Sequence, residues 1–298
     1  MASIAHLSDV HFGRHDPHIV QALETWLAAR RPDLVVVSGD LTQRARVAQY
    51  RLAAAFIERL KEGGLPVLAV PGNHDVPLYD IFRRFARPLR RYRRFIDRDL
   101  CPWFENDELV VLGINTARSL TIKDGRISHE QMALIRERFR AVEPGKTRIL
   151  VTHHPLFAMP IGEEEEELTK RVGRHEGALA AVAEAGVHIL LAGHFHRSFA
   201  RSAREMVETA GPELVIQAGT ATSTRLRAEE RQSFNWIEAK PDHVTVEVQS
   251  WDGAAFLGGT PAAYRRDGAH WHFAGPGGAA RAGAAGASRE DVDIDLSP

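Results

Sequence analysis

The stretch Val67-Leu68-Ala69-Val70-Pro71-Gly72-Asn73-His74-Asp75 decides how this chain is read. Four apolar residues run into a proline and a glycine, and three polar side chains follow at once. A short apolar run with a polar tip marks a buried parallel strand that delivers side chains at its carboxyl edge. That edge is where open α/β sheets hold their ligands. The same design recurs four times in the chain. Ile4–Leu7 leads into Asp9-x-His11, and Leu34–Val37 into Gly39-Asp40. Arg148–Val151 leads into His153-His154, and Val187–Ala192 into Gly193-His194-x-His196.

Seven of these side chains form a donor set: Asp9, His11, Asp40, Asn73, His153, His194 and His196. Four imidazoles, two carboxylates and an amide oxygen are too many for one tetrahedral ion. A structural zinc site would use thiolates, and the single cysteine, Cys101, lies outside every cluster. A mixed nitrogen and oxygen set of this size suits two adjacent ions with a shared carboxylate and open positions for water and substrate. Asp40, alone at its strand tip, is the natural bridge. In an extended segment the i, i+2 spacing puts Asp9 and His11 on one face, and likewise His194 and His196. Such a site accepts Mn, Fe, Zn or Co according to supply.

The blocks D-x-H, G-D, G-N-H-D, H-H-P and G-H-x-H, in this order over residues 4–199, resemble those of the calcineurin-like metallophosphoesterase superfamily. The resemblance implies an α/β fold, a two-sheet αββα sandwich, with a dinuclear metal site at the carboxyl ends of the strands. It implies that Asp9, His11, Asp40 and His196 hold one divalent or trivalent ion, and that Asp40, Asn73, His153 and His194 hold the other. His74 then faces the phosphoryl group without binding metal, placed to protonate the leaving group, while water shared between the ions attacks phosphorus. Gln43 stands where purple acid phosphatases carry tyrosine, and G-N-H-D stands where protein Ser/Thr phosphatases read G-N-H-E. The text is most similar to bacterial class III cyclic nucleotide phosphodiesterases and glycerophosphodiesterases. The implied activity is hydrolysis of a small phosphodiester, the alternatives being a phosphomonoesterase or a nuclease of the same fold.

Lys+Arg 38 against Asp+Glu 39 gives no basic coat, which argues against a nucleic-acid partner. A small phosphoester is the expected substrate, and homo-oligomerisation is left open. One cysteine excludes an internal disulfide. No stretch approaches the ~18 apolar residues of a membrane helix, and no charged and apolar leader precedes the first strand. The cytoplasm is the expected compartment.

Helical periodicity fills the gaps between strands. Ile19–Arg30 and Val47–Glu62 each carry an apolar stripe. Ser128-x-x-Gln131 reads as a capping box that opens a helix through Phe139, and Glu176–Ala185 closes at Gly186. Leu109–Ile114 reads as a further strand. Leu214–Gln217, Phe234–Ala239 and His243–Trp251 read as strands of a second sheet. The metallophosphoesterase domain is therefore expected over 1–257, with an Arg-rich helical insertion at 76–107. From Ala274 to Ser288 twelve of fifteen residues are Ala or Gly, and 258–298 is expected to be a largely disordered tail.

Residues 83–98 hold eight arginines and one acid, Asp97, among interleaved aromatics. The simple expectation is a helix with its aromatic face inward, and the sharper one a basic wall beside the pocket. The run Glu163–Glu167 reads as a solvated loop. His154 is expected to point away from His153, with a substrate-side role and simple packing weighed equally. His6 reads as a core histidine, and His188 as a surface or loop residue.

Overall fold

The computed structural model describes residues 1–119, 124–157, 173–206, 211, 213–226, 230–268 and 270–276. The Glu163–Glu167 run and residues 277–298 lie outside them. In chain order the elements are β1 (Ala2–Leu7), α1 (Pro17–Arg30), β2 (Leu34–Val37), α2 (Val47–Glu62), β3 (Val67–Ala69), α3 (Ile81–Ala86) and α4 (Arg90–Phe95). Then come β4 (Trp103–Glu105), β5 (Leu109–Ile114), α5 (His129–Arg140), β6 (Thr147–Thr152), α6 (His175–Glu184) and β7 (Ile189–Ala192). The chain continues through β8 (Phe199–Ser202), α7 (Ala203–Met206), β9 (Leu214–Gln217), β10 (Ser233–Lys240) and β11 (His243–Trp251). Short strands follow as β12 (Phe256–Gly258), β13 (Ala262–Asp267) and β14 (His270–Pro276).

Two sheets form. One runs β14-β13-β11-β10-β1-β2-β3, with β12 against β11, and the other runs β4-β5-β6-β7-β9-β8. Alternation along the strands explains why their sequences are apolar throughout. Val35 and Val37 face α1 and α2, and Leu150 and Leu190 face α5 and α6. Leu34, Val36, Ile149, Val151, Ile189 and Leu191 meet between the sheets. Each strand residue is thus buried on whichever side it points, and burying a Val, Leu or Ile contributes roughly 1.5–3 kcal/mol. The layers are helices, sheet, sheet, helices: the expected αββα sandwich.

The helix ends follow local rules. Asp16 caps α1 by accepting from His18 N at 2.8 Å, with Pro17 in the first turn, so the helix begins two residues before the apolar stripe. The Ser128 and Gln131 box forms as read, through Gln131 N to Ser128 Oγ at 3.2 Å and Ser128 N to Gln131 Oε1 at 2.9 Å.

Three expectations are corrected. Leu214–Gln217 pairs in parallel with β7, while β10 and β11 extend the sheet of β1. The three strands are therefore divided between the two sheets, because periodicity reports which side chains are buried and not which strand lies alongside. The tail does not begin at 258: β13 and β14 continue the first sheet, and Tyr264 and Trp271 lie in the core between the sheets. Tyr264 also donates to Ala200 O at 2.7 Å, joining the two layers. Segment 76–107 is not wholly a helical insertion, since β4 pairs antiparallel with β5. Within it α4 turns inward, with Tyr92 buried and donating to Ala69 O at 2.9 Å. Ile81, Phe82 and Phe85 on α3 are exposed instead, because Pro88 separates the two helices and breaks the common face.

Candidate metal centre

The five blocks leave five strands at the carboxyl edges of both sheets, three from the first (β1, β2, β3) and two from the second (β6, β7). The loops leaving β1 and β2 stay paired beyond their strands, through Asp9 N to Gly39 O, His11 N to Asp40 O and Phe12 N to Leu41 O. Asp9, His11 and Asp40 all have φ of 51°, His194 has 79° and His196 has 61°. Left-handed backbone is uncommon for such residues and concentrates at functional sites. The extended i, i+2 geometry expected for Asp9/His11 and His194/His196 is therefore replaced by tight turns. The reach of these pairs comes from curled backbone, and His194 and His196 diverge toward different neighbours.

Two glycines are required by close approach. A Cβ on Gly39 would lie 2.4 Å from His153 Nδ1, and one on Gly72 would lie 2.1 Å from Asp40 Oδ1. The glycine of each block therefore makes room for a donor from another block. Asp75 ties the second and third blocks together. Its buried carboxylate accepts from Leu41 N (3.1 Å), Thr42 N (2.8 Å), Thr42 Oγ1 (2.9 Å) and Gly72 N (3.0 Å).

The donor atoms fall into two groups. In one, Asp9 Oδ1 lies 3.1 Å from His196 Nε2 and 3.5 Å from His11 Nε2, and the two imidazole nitrogens are 3.4 Å apart. In the other, Asn73 Oδ1 lies 3.0 Å from His153 Nε2 and 3.2 Å from His194 Nδ1. Asp40 Oδ2 stands between them, 3.8 Å from His11 Nε2 and 3.5 Å from His153 Nε2. Its other oxygen accepts from His74 N at 2.8 Å.

This arrangement fits metal ions. Ligands about 2.1 Å from a common ion and at right angles sit about 3.0 Å apart, close to the spacings observed. Asp9 Oδ1 is buried with no hydrogen-bond donor of acceptable geometry. His153 Nδ1 donates to Ser38 O at 2.8 Å, so Nε2 is the ring nitrogen that faces the group, the orientation a ligating imidazole takes.

Electrostatics point the same way. Burial would push the Asp9 carboxyl upward, but the imidazoles of His196 and His11 outweigh it and hold the group well below the usual carboxylate range. Asp40 is lowered likewise, His153 and His74 outweighing burial. Burial opposes a charge on His153, yet Asp40 raises it to about 9. His194 is pushed down to about 3 by burial and by the charge on His153. The rim therefore attracts cations.

His74 is half-buried beside the donors, its ring 4.9 Å from that of His11. Its Nδ1 donates to Gln43 O at 2.8 Å, so Nε2 is the ring nitrogen not engaged in that bond. His154 does not point away. Its ring lies 4.6 Å from that of His194, and its Nδ1 meets Thr116 Oγ1 at 2.8 Å. The tight turn after β6 brings both histidines inward, which an extended segment would not. His6 is a core residue held by Ser38 Oγ at 2.9 Å, and burial pushes it down to about 3. His188 is half-buried rather than exposed, its Nδ1 accepting from Arg148 N at 3.1 Å. Two arginines of the Arg-rich segment are tied to backbone carbonyls. Arg84 donates to Pro77 O and Ser119 O, and Arg91 to Ala45 O. Sequence reasoning missed Ser38, which adjoins the second block, Thr116, which follows β5, and the clamping role of Asp75.

Comparison with known proteins agrees with this geometry. Residues 2–198 match the family model described as calcineurin-like phosphoesterase. The chain is 26% identical over 178 residues to a probable cyclic nucleotide phosphodiesterase of Synechococcus sp., covering 58% of this chain and 61% of that protein. It is 28% identical over 177 residues to a probable glycerophosphodiester phosphodiesterase GpdQ of Arcobacter nitrofigilis, covering 56% and 58%. The chain thus spans about three fifths of the length of these curated relatives. Among solved structures, a purple acid phosphatase from yellow lupin superposes with a TM-score of 0.63 at 14% identity, covering 86% of this chain and 52% of that one. This last likeness speaks for the fold alone.

Proposed function

The chain belongs to the calcineurin-like phosphoesterase family, and on that premise we propose that it hydrolyses a small phosphodiester at a dinuclear metal centre. The observation that carries this reading is Asp40 Oδ2, which faces a donor of each group and joins them into one site. Asp9, His11, Asp40 and His196 would hold one ion, and Asp40, Asn73, His153 and His194 the other. Manganese, iron, zinc and cobalt all suit these donors. When bound, such ions supply Lewis-acid polarisation of the phosphoryl oxygens and a water acidified toward neutral pH.

The chain's own groups do the rest. Asp75 and the left-handed turns hold the donors in place before substrate arrives, so little reorganisation is left for the reaction. His74 is anchored through Nδ1 and presents Nε2 toward the reacting group, where it donates a proton to the departing oxygen. Such a transfer contributes typically ~10²–10⁴-fold. His154, held by Thr116 and packed on His194, orients that donor from behind.

The relatives named as phosphodiesterases support a diester over a monoester. No helix among the described residues is long and apolar enough to cross a membrane. The test is a turnover panel on metal-reconstituted protein. Bis(4-nitrophenyl) phosphate is expected to be hydrolysed faster than 4-nitrophenyl phosphate at equal concentration. The reverse order would overturn the diester assignment.

A further inference from the structure

Beside His74 a cleft of about 340 Å³ opens, lined by Arg14, Gln43, Arg44, Thr224 and Arg225. Its walls come from the turn after His11, the turn after Asp40 and the loop between β9 and β10. Arg14 is pinned to that loop, its carbonyl accepting from Thr224 N at 2.7 Å and from Thr224 Oγ1 at 2.9 Å. Among the described residues no carboxylate pairs with Arg14, Arg44 or Arg225. Arg44 instead lies over the Tyr79 ring at 5.4 Å.

Gln43 connects this cleft to the reacting centre. It is 8% exposed, and one end of its side-chain amide has no hydrogen-bond partner. The other end lies 3.4 Å from His74 Nδ1, an N–H donor. The end nearer the ring is Nε2, and the unpartnered atom is Oε1. Three guanidinium groups thus line one cleft, and among the described residues no carboxylate pairs with them.

We propose that this cleft is a subsite for a second phosphate group, carried on the substituent of a substrate whose scissile phosphate sits at the metal centre. The subsite rests on the hydrolase reading above but is separable from it by binding. Guanidinium groups grip a phosphate dianion through paired, charge-assisted hydrogen bonds. Substrates with a terminal phosphate are thereby distinguished from diesters whose substituents carry no charge, even though the chain as a whole carries a formal charge of only −1.

The experiment is calorimetric titration of the metal-loaded full chain with thymidine 3′,5′-bisphosphate and with thymidine 5′-monophosphate. The bisphosphate is expected to bind roughly tenfold more tightly, in keeping with one hydrogen-bonded charge, and the gap should narrow as salt is raised. Arg14→Gln/Arg225→Gln should close the gap at an unchanged Tm, since both side chains are exposed. Equal affinities in the native chain, or a gap that survives the double substitution, would overturn the subsite. Turnover of bis(4-nitrophenyl) phosphate is measured on the same preparation. If it is absent while the gap holds, the hydrolase reading falls and the subsite stands.

Discussion

Buried charge is handled differently at the carboxyl edge of the first sheet and at the amino edge of the second. At the carboxyl edge, Asp9 and Asp40 are fully enclosed, yet each faces imidazoles at 3.1–3.8 Å and is held ionised. At the amino edge, Glu213 precedes β9, which runs parallel to β7. Both of its carboxylate oxygens are buried without a hydrogen-bond partner. Burial pushes it up to about 7, with Arg266 offsetting only part of the effect. Desolvation acts on all three carboxyls alike, and the neighbours decide the outcome. The first edge is organised to keep negative charge available to cations, and the second tolerates an acid that prefers to be neutral.

The comparison breaks most visibly at Asp40. Asp40→Ala is expected to cost more activity than any other single donor change, because one oxygen serves both groups and the other holds the His74 backbone. Kinetics beside His154→Ala check this: equal rates for the two variants would contradict the shared role. His154→Ala itself should keep its metal and lose activity only in part.

A smaller effect is expected at His74, where charge develops only during reaction. His74→Ala should retain both ions and lower kcat on the order of 10²-fold for an alkyl diester. The loss should shrink for a nitrophenyl ester, whose leaving group departs without a proton. Equal losses for the two would reduce His74 to positioning the phosphoryl group.

How much of this was legible in the sequence varies by scale. The αββα architecture was legible through the resemblance carried by the five blocks, while the bounds of α2 and the capping box of α5 follow from periodicity and local hydrogen bonding, which neighbours along the chain carry. The seven candidate donors were legible because they fall in five clusters, each closing an apolar run. Sheet membership of Leu214–Gln217 was not, because pairing partners leave no periodic trace. The strands around Tyr264 and Trp271 were masked by the Gly/Ala-rich stretch that follows. Asp75 binds backbone N–H groups more than thirty residues upstream, and Arg14 meets Thr224 only through folding, so neither contact has a local signature.

At the amino edge the smallest effect concerns stability. The carboxyl of Glu213 sits at about 7 in the folded chain, above the ~4.3 of an unfolded glutamate. The folded state therefore binds its proton more tightly. The stability this contributes is fully present below about pH 4 and is lost as pH rises through 7. Glu213→Gln should remove the loss, raising stability at pH 8 by on the order of 3 kcal/mol at most. The difference from the native chain should vanish near pH 4. Thermal melts across this range check it, and parallel curves for the two proteins would refute the buried-acid description.

The claim that one rim holds two cations through a shared carboxylate is tested most directly by metal content. Elemental analysis of the reconstituted, dialysed chain should give two transition ions per chain, falling together in Asp40→Ala. A stoichiometry that stays at one or below while phosphodiester turnover is intact would contradict it.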